Sequence, residues 1–197
     1  MSNTRVLLGI PSGGSVKTKT MFSIFQVLFQ TTAAQITLAE RQGALGPDNR
    51  NHLAQMALDG DYTHLFLVDA DMSFPGDTLE RLLAHKKDLI GASYNYRAFP
   101  RKTVVKLLDS QGGMYAPPSE LHAREVFKCY AIGSGLKLVS TQALAHIPRP
   151  WFALDFDKDG MLSVSDDVWF CQQARRVGID TWCDPTIKAG HIGECEF

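Results

Sequence analysis

LFLVDADMS, residues 65–73, is an apolar run that ends on two carboxylates one residue apart. With Tyr62, Thr63 and His64 ahead of it, the run is too short for a buried helix and reads as a strand covered on both faces, Tyr62 to Val68. Side chains alternate while a strand is paired, and the alternation breaks where pairing stops. Asp69 and Asp71 can therefore both turn toward one loop cleft. Two carboxylates so placed suit a hard divalent cation, the usual means of holding a diphosphate. The competing explanation is a solvated turn with two surface acids.

Working outward toward the N-terminus, Arg5 to Ile10 (RVLLGI) reads as a buried strand closed by Pro11-Ser12-Gly13-Gly14. From Thr20, the positions Met21, Ile24, Phe25 and Leu28 follow helical spacing, and Gln35 to Ala39 (QITLA) resembles a second strand. Asp48 is the expected N-cap of a helix running to about Leu58, with Arg50 in its first turn and Leu53, Met56 and Ala57 inward. In the other direction, Pro75-Gly76-Asp77 opens a helix carrying Leu79, Leu82 and Leu83, followed by a strand from Asp88 to Ser93. Strands alternating with helices predict an α/β fold: a mostly parallel, Rossmann-like central sheet with helices on both faces and ligands at the strands' carboxyl ends.

Beyond Tyr94 the regularity fades. Residues Arg97 to Glu125 contain Gly112-Gly113, Pro117-Pro118 and one strand candidate, Thr103 to Leu108, so the segment reads as substrate-facing loop and hairpin. Gly133-Ser134-Gly135 precedes a strand from Leu136 to Val139, and Ser140 or Thr141 is expected to cap a short helix ending before Pro148. Asp157 to Gly160 is a turn. Ser165-Asp166-Asp167 opens a helix with Val168, Cys171 and Ala174 inward and Gly178 as its stop, and Ile179 to Cys183 is the last expected strand.

A chain of 197 residues, 45% apolar and 21% charged, suits one domain. Its net charge of -1 supplies no long-range field toward nucleic acid or an anionic membrane. No segment approaches the roughly 20 apolar residues of a membrane span, and the first residues lack the pattern of a secretory leader, so a cytoplasmic location is expected. Cys129, Cys171, Cys183 and Cys195 are scattered and read as free thiols; a zinc site of Cys183, His191 and Cys195 matches no common spacing. GIPSGGSVKT, residues 9–18, imitates a phosphate-binding P-loop, but Ser15-Val16 stand between the second Gly and the Lys.

Taken in order, VLLGIPSG, Arg50-Asn51 near a helix start, LVDADM, GSGLKLV, SDDVWFCQQARRVG and DPTIKAGHIG resemble the GT-A glycosyltransferases, in particular family 2 and its small bacterial and phage relatives. The resemblance implies a GT-A domain with a nucleotide-binding half, 1–93, and an acceptor and catalytic half, 94–197. It further implies transfer of a sugar from a nucleotide diphosphate sugar, linked to UDP, GDP or TDP, to a hydroxyl of a polysaccharide, lipopolysaccharide or other glycan. Pro11 and Ser12 would lie against base or ribose, with Lys17 and Arg50 near the diphosphate. Asp69 and Ala70 would face the ribose, while Asp69, Asp71 and His191 would hold manganese or magnesium. Gly133, Ser134 and Gly135 would sit beside the donor sugar or acceptor.

Asp166 and Asp167 stand where such enzymes carry an acidic pair, one member of which is the catalytic base of an inverting transfer, here preferentially Asp167. Acids in a helix's first turn are also favoured by its dipole alone. Trp151 and Phe152 are acceptor-stacking candidates, against the commoner role of large aromatics in a core. Two rival readings are a haloacid-dehalogenase-like phosphatase with Asp69 as nucleophile and an inert sugar-nucleotide-binding module. A modified DNA base is a minor acceptor candidate, suggested by the basic run Arg97, Arg101, Lys102 and Lys106.

Overall fold

The computed structural model describes residues 4–117 and 125–193, which leaves Cys195 outside the described residues. In chain order the elements are β1 (Arg5–Ser12), α1 (Thr18–Gln30), β2 (Gln35–Gln42), α2 (Gly46–Asp59), β3 (His64–Val68), β4 (Met72–Ser73), α3 (Thr78–Ala84) and β5 (Leu89–Ala92). They continue with β6 (Leu107–Leu108), β7 (Met114–Tyr115), β8 (Phe127–Cys129), β9 (Leu136–Ser140), α4 (Thr141–His146), β10 (Asp155–Phe156), β11 (Leu162–Val164), α5 (Asp166–Arg176), β12 (Thr181–Asp184) and β13 (Gly190–His191).

Seven strands form one sheet in the order β2-β1-β3-β9-β5-β12-β8. Strand β1 is parallel to β2 and β3, and β5 is parallel to β12; β9 runs antiparallel between β3 and β5, and β8 is antiparallel to β12. The sheet is thus mostly parallel, as the alternation of elements requires. Its central strands are apolar without interruption, because both faces are covered: Val6, Leu7, Leu8, Leu65, Phe66, Leu67 and Val68 are all buried. Gly9 makes room for α2, since a Cβ there would stand 3.1 Å from Leu53 Cδ2. Helix α1 packs beside α3, and α2 beside α4, so helices flank the sheet.

Several expected details differ. Helix α1 turns Thr20, Ser23, Ile24 and Val27 inward and leaves Phe25 46% exposed. The two polar residues win the inner face because the chain after β3 needs partners: Thr20 Oγ1 donates to the Ala70 carbonyl (3.1 Å), and Ser23 Oγ accepts from Phe74 N–H (3.0 Å). Helix α2 starts at Gly46 with Pro47 in its first turn, where a missing N–H costs nothing, so Asp48 lies inside the first turn and Leu45 caps it. Its inner face uses Ala54, and Met56 is 45% exposed. Only Leu107 and Leu108 of the Thr103–Leu108 candidate form a strand, paired with β7, while Thr103 and Lys106 make single bridges to Asn95 and Ala131. The last strand is β13, which pairs with β4 and carries His191 to Met72. Among the described residues no helix is long and apolar enough to cross a membrane.

Candidate functional site

Strand β1 sends the chain to β2 on one side and receives β3 on the other. A crevice is expected where such connections diverge, at the carboxyl ends of the strands. A cavity of about 460 Å³ lies there, walled by Pro11 and Ser12, Lys17, Asn49 and Arg50 near the start of α2, Asp69-Ala70-Asp71, Arg97 and His191. A larger hollow of about 840 Å³ opens at the opposite end of the sheet, where β1, β3 and β5 begin. It contains none of the candidate residues, eight of which line the smaller cavity.

Local hydrogen bonds hold the walls. Lys17 N–H donates to the Ala70 carbonyl (2.8 Å), which fixes the loop after β1 to the loop after β3 and brings the Lys17 side chain to the cavity. Ser12 Oγ donates to Glu40 (2.5 Å) and accepts from Gly14 N–H (3.2 Å). Asn49 Nδ2 donates to the carbonyls of Ser12 (3.1 Å) and Gly43 (3.0 Å). The Oδ1 of Asn49 is buried with no partner among the described residues.

Arg50 reaches two carboxylates at once: Nη2 to Asp69 Oδ1 at 2.7 Å and Nη1 to Asp166 Oδ2 at 2.6 Å. Burial works against the guanidinium charge, but Asp69 and then Asp166 outweigh it and hold Arg50 protonated. Burial pushes the Asp166 carboxyl above its ordinary pKa against the pull of Arg50, with Asp167 adding to the rise. Ser165 occupies the N-cap of α5 without a side-chain capping bond, leaving Asp166 and Asp167 in the first turn. The Asp167 side chain has no hydrogen bond or ion pair among the described residues, and its charge acts on Arg50, Tyr94 and Tyr96.

On the other side of the strand end, Asp71 Oδ1 lies 3.3 Å from His191 Nε2, and Oδ2 lies 3.0 Å from Arg97 Nη1. Burial raises the Asp71 pKa, yet the His191 hydrogen bond and charge, with Arg97, bring it below the ordinary carboxylate value. His191 Nδ1 faces the Asn95 carbonyl at 3.2 Å, and the imidazole stands edge-on to Tyr94, ring centres 5.5 Å apart. A backbone carbonyl on one ring nitrogen is the usual support of a metal-ligating histidine, since it leaves the other nitrogen's lone pair for the metal. Asp71 and His191 are the side chains that would hold a divalent cation here, which would supply positive charge beside the cavity. Asp69 faces Arg50 instead, and among the described residues no three His, Cys, Asp or Glu side chains gather around one point.

The glycines of Gly133-Ser134-Gly135 serve Tyr94. Its hydroxyl accepts from Gly135 N–H (2.8 Å), and a Cβ at Gly135 would come within 2.7 Å of that oxygen. Gly135 in turn accepts from Asp69 N–H (3.0 Å), while the buried Ser134 takes a hydrogen bond from Lys137 (3.0 Å). Trp151 and Phe152 are 4% and 2% exposed; the indole donates to the Leu144 carbonyl, and Phe152 stacks on Phe170 at 4.6 Å. Both belong to the core, against the acceptor-stacking expectation, although Trp151 also lines a cavity of about 540 Å³ with Asn51, His52, Arg149 and Pro150. The basic run divides, with Arg97 on Asp71 and Lys106 over the Tyr96 ring. Sequence reasoning missed Tyr94, Arg97, Asn49 and Glu40 as parts of this site. The one signal for the first two is their place in SYNYR, directly after a strand end.

No protein-family model and no curated protein matches this sequence. Among solved structures the chain is similar to A197 from STIV, with a TM-score of 0.66 at 19% identity, covering 96% of this chain and 86% of that one. A second similar structure comes from Desulfovibrio desulfuricans G20 and is provisionally described as a nucleotide-diphospho-sugar transferase. There the TM-score is 0.47 at 14% identity, covering 94% of this chain and 80% of that one. The likeness to A197 establishes a shared fold.

Proposed function

We propose that this protein transfers a sugar from a nucleotide diphosphate sugar to an acceptor hydroxyl, with the donor seated in the 460 Å³ cavity. The observation that carries the reading is the double grip of Arg50, which joins the carboxylate at the end of β3 to the acidic pair opening α5. Two sequence segments with separate roles in such a transfer are thereby held at one crevice. The donor's base and ribose would lie against Pro11, Ser12 and Asn49. Arg50 is committed to two carboxylates and Arg97 to Asp71, so Lys17 is the cavity cation placed to meet the diphosphate.

Asp71 and His191 are the proposed holders of manganese or magnesium, which supplies neutralising charge to the departing diphosphate. Asp167 is the proposed base: it takes the acceptor hydroxyl's proton as that oxygen bonds to the anomeric carbon and the carbon–oxygen bond to the diphosphate breaks. A single displacement of this kind inverts the anomeric centre. A polysaccharide, lipopolysaccharide or other glycan is the acceptor class.

The test is release of nucleoside diphosphate from a panel of UDP-, GDP- and TDP-sugars with manganese or magnesium. Asp71→Ala is expected to abolish metal-dependent turnover. Asp167→Asn is expected to lower kcat by about 10²-fold or more while leaving nucleotide binding intact. Full metal-dependent turnover by Asp71→Ala would sink the metal assignment. Phosphate release from simple monoesters would favour a phosphatase, and binding without turnover an inert module.

A further inference from the structure

Helix α1 has two apolar faces. Its inner face is buried at Thr20, Ser23, Ile24 and Val27, yet the face pointing directly away from the sheet carries Phe22, Phe25 and Phe29, which are 65%, 46% and 87% exposed. Polar residues normally occupy that position on a surface helix. The helix also has a sidedness. Gln26 and Gln30 lie against Gly76 at the entry to α3, where a Cβ would meet Gln26 Cβ at 2.8 Å. The opposite flank, over the outer edge of the sheet, therefore presents Met21, Phe25 and Leu28 at i, i+4, i+7 spacing.

That edge is β2, and it is open. Strand β2 ends the sheet order, and its register with β1 runs unbroken over all eight residues. Its sequence, QITLAERQ, has no proline or lysine and its pairing has no bulge, and the charged Glu40 and Arg41 fall near its end, which leaves Gln35 to Ala39 without the devices that usually blunt an edge. Gln35 N–H donates inward to the Thr4 carbonyl, so the alternate groups of Ile36, Leu38 and Glu40 point out of the sheet. Leu38 pairs with Leu8, which faces away from the α2 side marked by Gly9 and Leu53. Leu38 thus lies on the same side as α1 and is 41% exposed.

We infer that a second copy of this chain pairs here, β2 against β2 in antiparallel sense, about a two-fold axis perpendicular to the sheet. One event then satisfies both features: the outward backbone groups of the two edges bond to each other, and the two α1 helices meet on one face with their Met21, Phe25 and Leu28 flanks at the seam. At the seam Phe25 and Leu38 are 46% and 41% exposed, with Met21 and Leu28 partly buried beside them, while Phe22 and Phe29 stand above it on the outward face. Each copy adds the outward backbone groups of an eight-residue edge strand to that apolar contact. A lipid surface fits less well. Helices that lie in a bilayer interface carry a basic polar face, whereas α1 has one charged residue, Lys19, and its inner face is occupied by the protein's own core.

Sedimentation velocity of the full chain at rising concentration tests the inference, and it does so independently of the proposed activity. The expected species is a dimer of twice the 21.8 kDa chain mass. Phe25→Glu/Phe29→Glu, with folding checked by circular dichroism, is expected to weaken dimerisation at least about tenfold. Leu38→Pro removes an outward N–H without touching the β1 ladder and is expected to weaken it more than Leu38→Ala does. A wild-type chain that stays monomeric, or a dimer indifferent to both Phe25→Glu/Phe29→Glu and Leu38→Pro, overturns the inference. Monomeric wild-type chain that co-sediments with phosphatidylglycerol vesicles overturns it in favour of a lipid partner.

Discussion

At Gly135 a hydrogen atom is the largest side chain the site tolerates, because Tyr94 Oη occupies the space a methyl group would need. Gly135→Ala is expected to destabilise the fold by about 1–3 kcal/mol through forced displacement of the phenol. In the Tyr94→Phe background the added cost should be smaller, a coupling that thermal melts of the two single variants and the double variant would read. Asp184 makes a second residue-level case. It is buried, and although burial opposes its charge, hydrogen bonds from Thr186 and His85, with Arg81 nearby, hold its pKa below the usual carboxylate value. A carboxyl with a lowered folded-state pKa contributes stability that is complete above its unfolded pKa of about 4 and is lost as pH falls through the folded value. Asp184→Asn should therefore be less stable than wild type at pH 7, with the gap closing below about pH 4, as melts across that range would show. The identities of Asp69, Asp71, Asp166, Asp167 and His191 were all visible in the sequence, but their partners were not. Nothing local to Asp69 says that it faces Arg50 and not the Asp71–His191 side.

Elements follow the same division. Helix α4 was legible to its cap: Ser140 Oγ accepts from Ala143 N–H at 3.1 Å and donates to Asp88 at 2.8 Å. Ser140→Ala is expected to cost about 1 kcal/mol, a fall in Tm of about 2–4 °C for a chain of this size. Helix α5 buried the expected Val168, Cys171 and Ala174, and Gly178 follows it at φ +81°, the left-handed conformation a glycine stop supplies. In α1 the apolar period misled, because two stripes of the same helix are apolar enough to be the inner one. What chose between them was a pair of hydrogen bonds to a loop about 50 residues away, which gave Thr20 and Ser23 partners in the interior. A polar side chain with a partner can be buried at little cost. Periodicity weighs hydrophobicity alone and has no access to that term.

Across the whole molecule, Arg50 fastens three elements: its own helix α2, the end of β3 and the start of α5. All three side chains are largely shielded, at 14%, 20% and 13% exposure, so removing the cation strands two acids in poor solvent. Arg50→Met is expected to destabilise by about 3–5 kcal/mol, measured by urea unfolding, and to lose more than either Asp69→Asn or Asp166→Asn alone. Strand β9 fastens the sheet in a comparable way. Residues Leu136–Ser140 run antiparallel between β3 and β5, so the later part of the sequence completes the sheet begun by the earlier part. That insertion was not legible, since a short apolar strand such as LKLVS has the same composition in either direction and at any place in the order. By itself the sequence determined the alternating β and α elements, the mostly parallel sheet and the acids delivered to its carboxyl end. Those properties rest on side-chain period and chain punctuation within a few residues of each position. Only the tertiary structure decided which carboxylate meets Arg50 and which meets His191, that Trp151 and Phe152 belong to the core, and which stripe of α1 remains exposed. Each of those outcomes depends on hydrogen bonds and packing between residues far apart in the chain, whose distances no local pattern encodes.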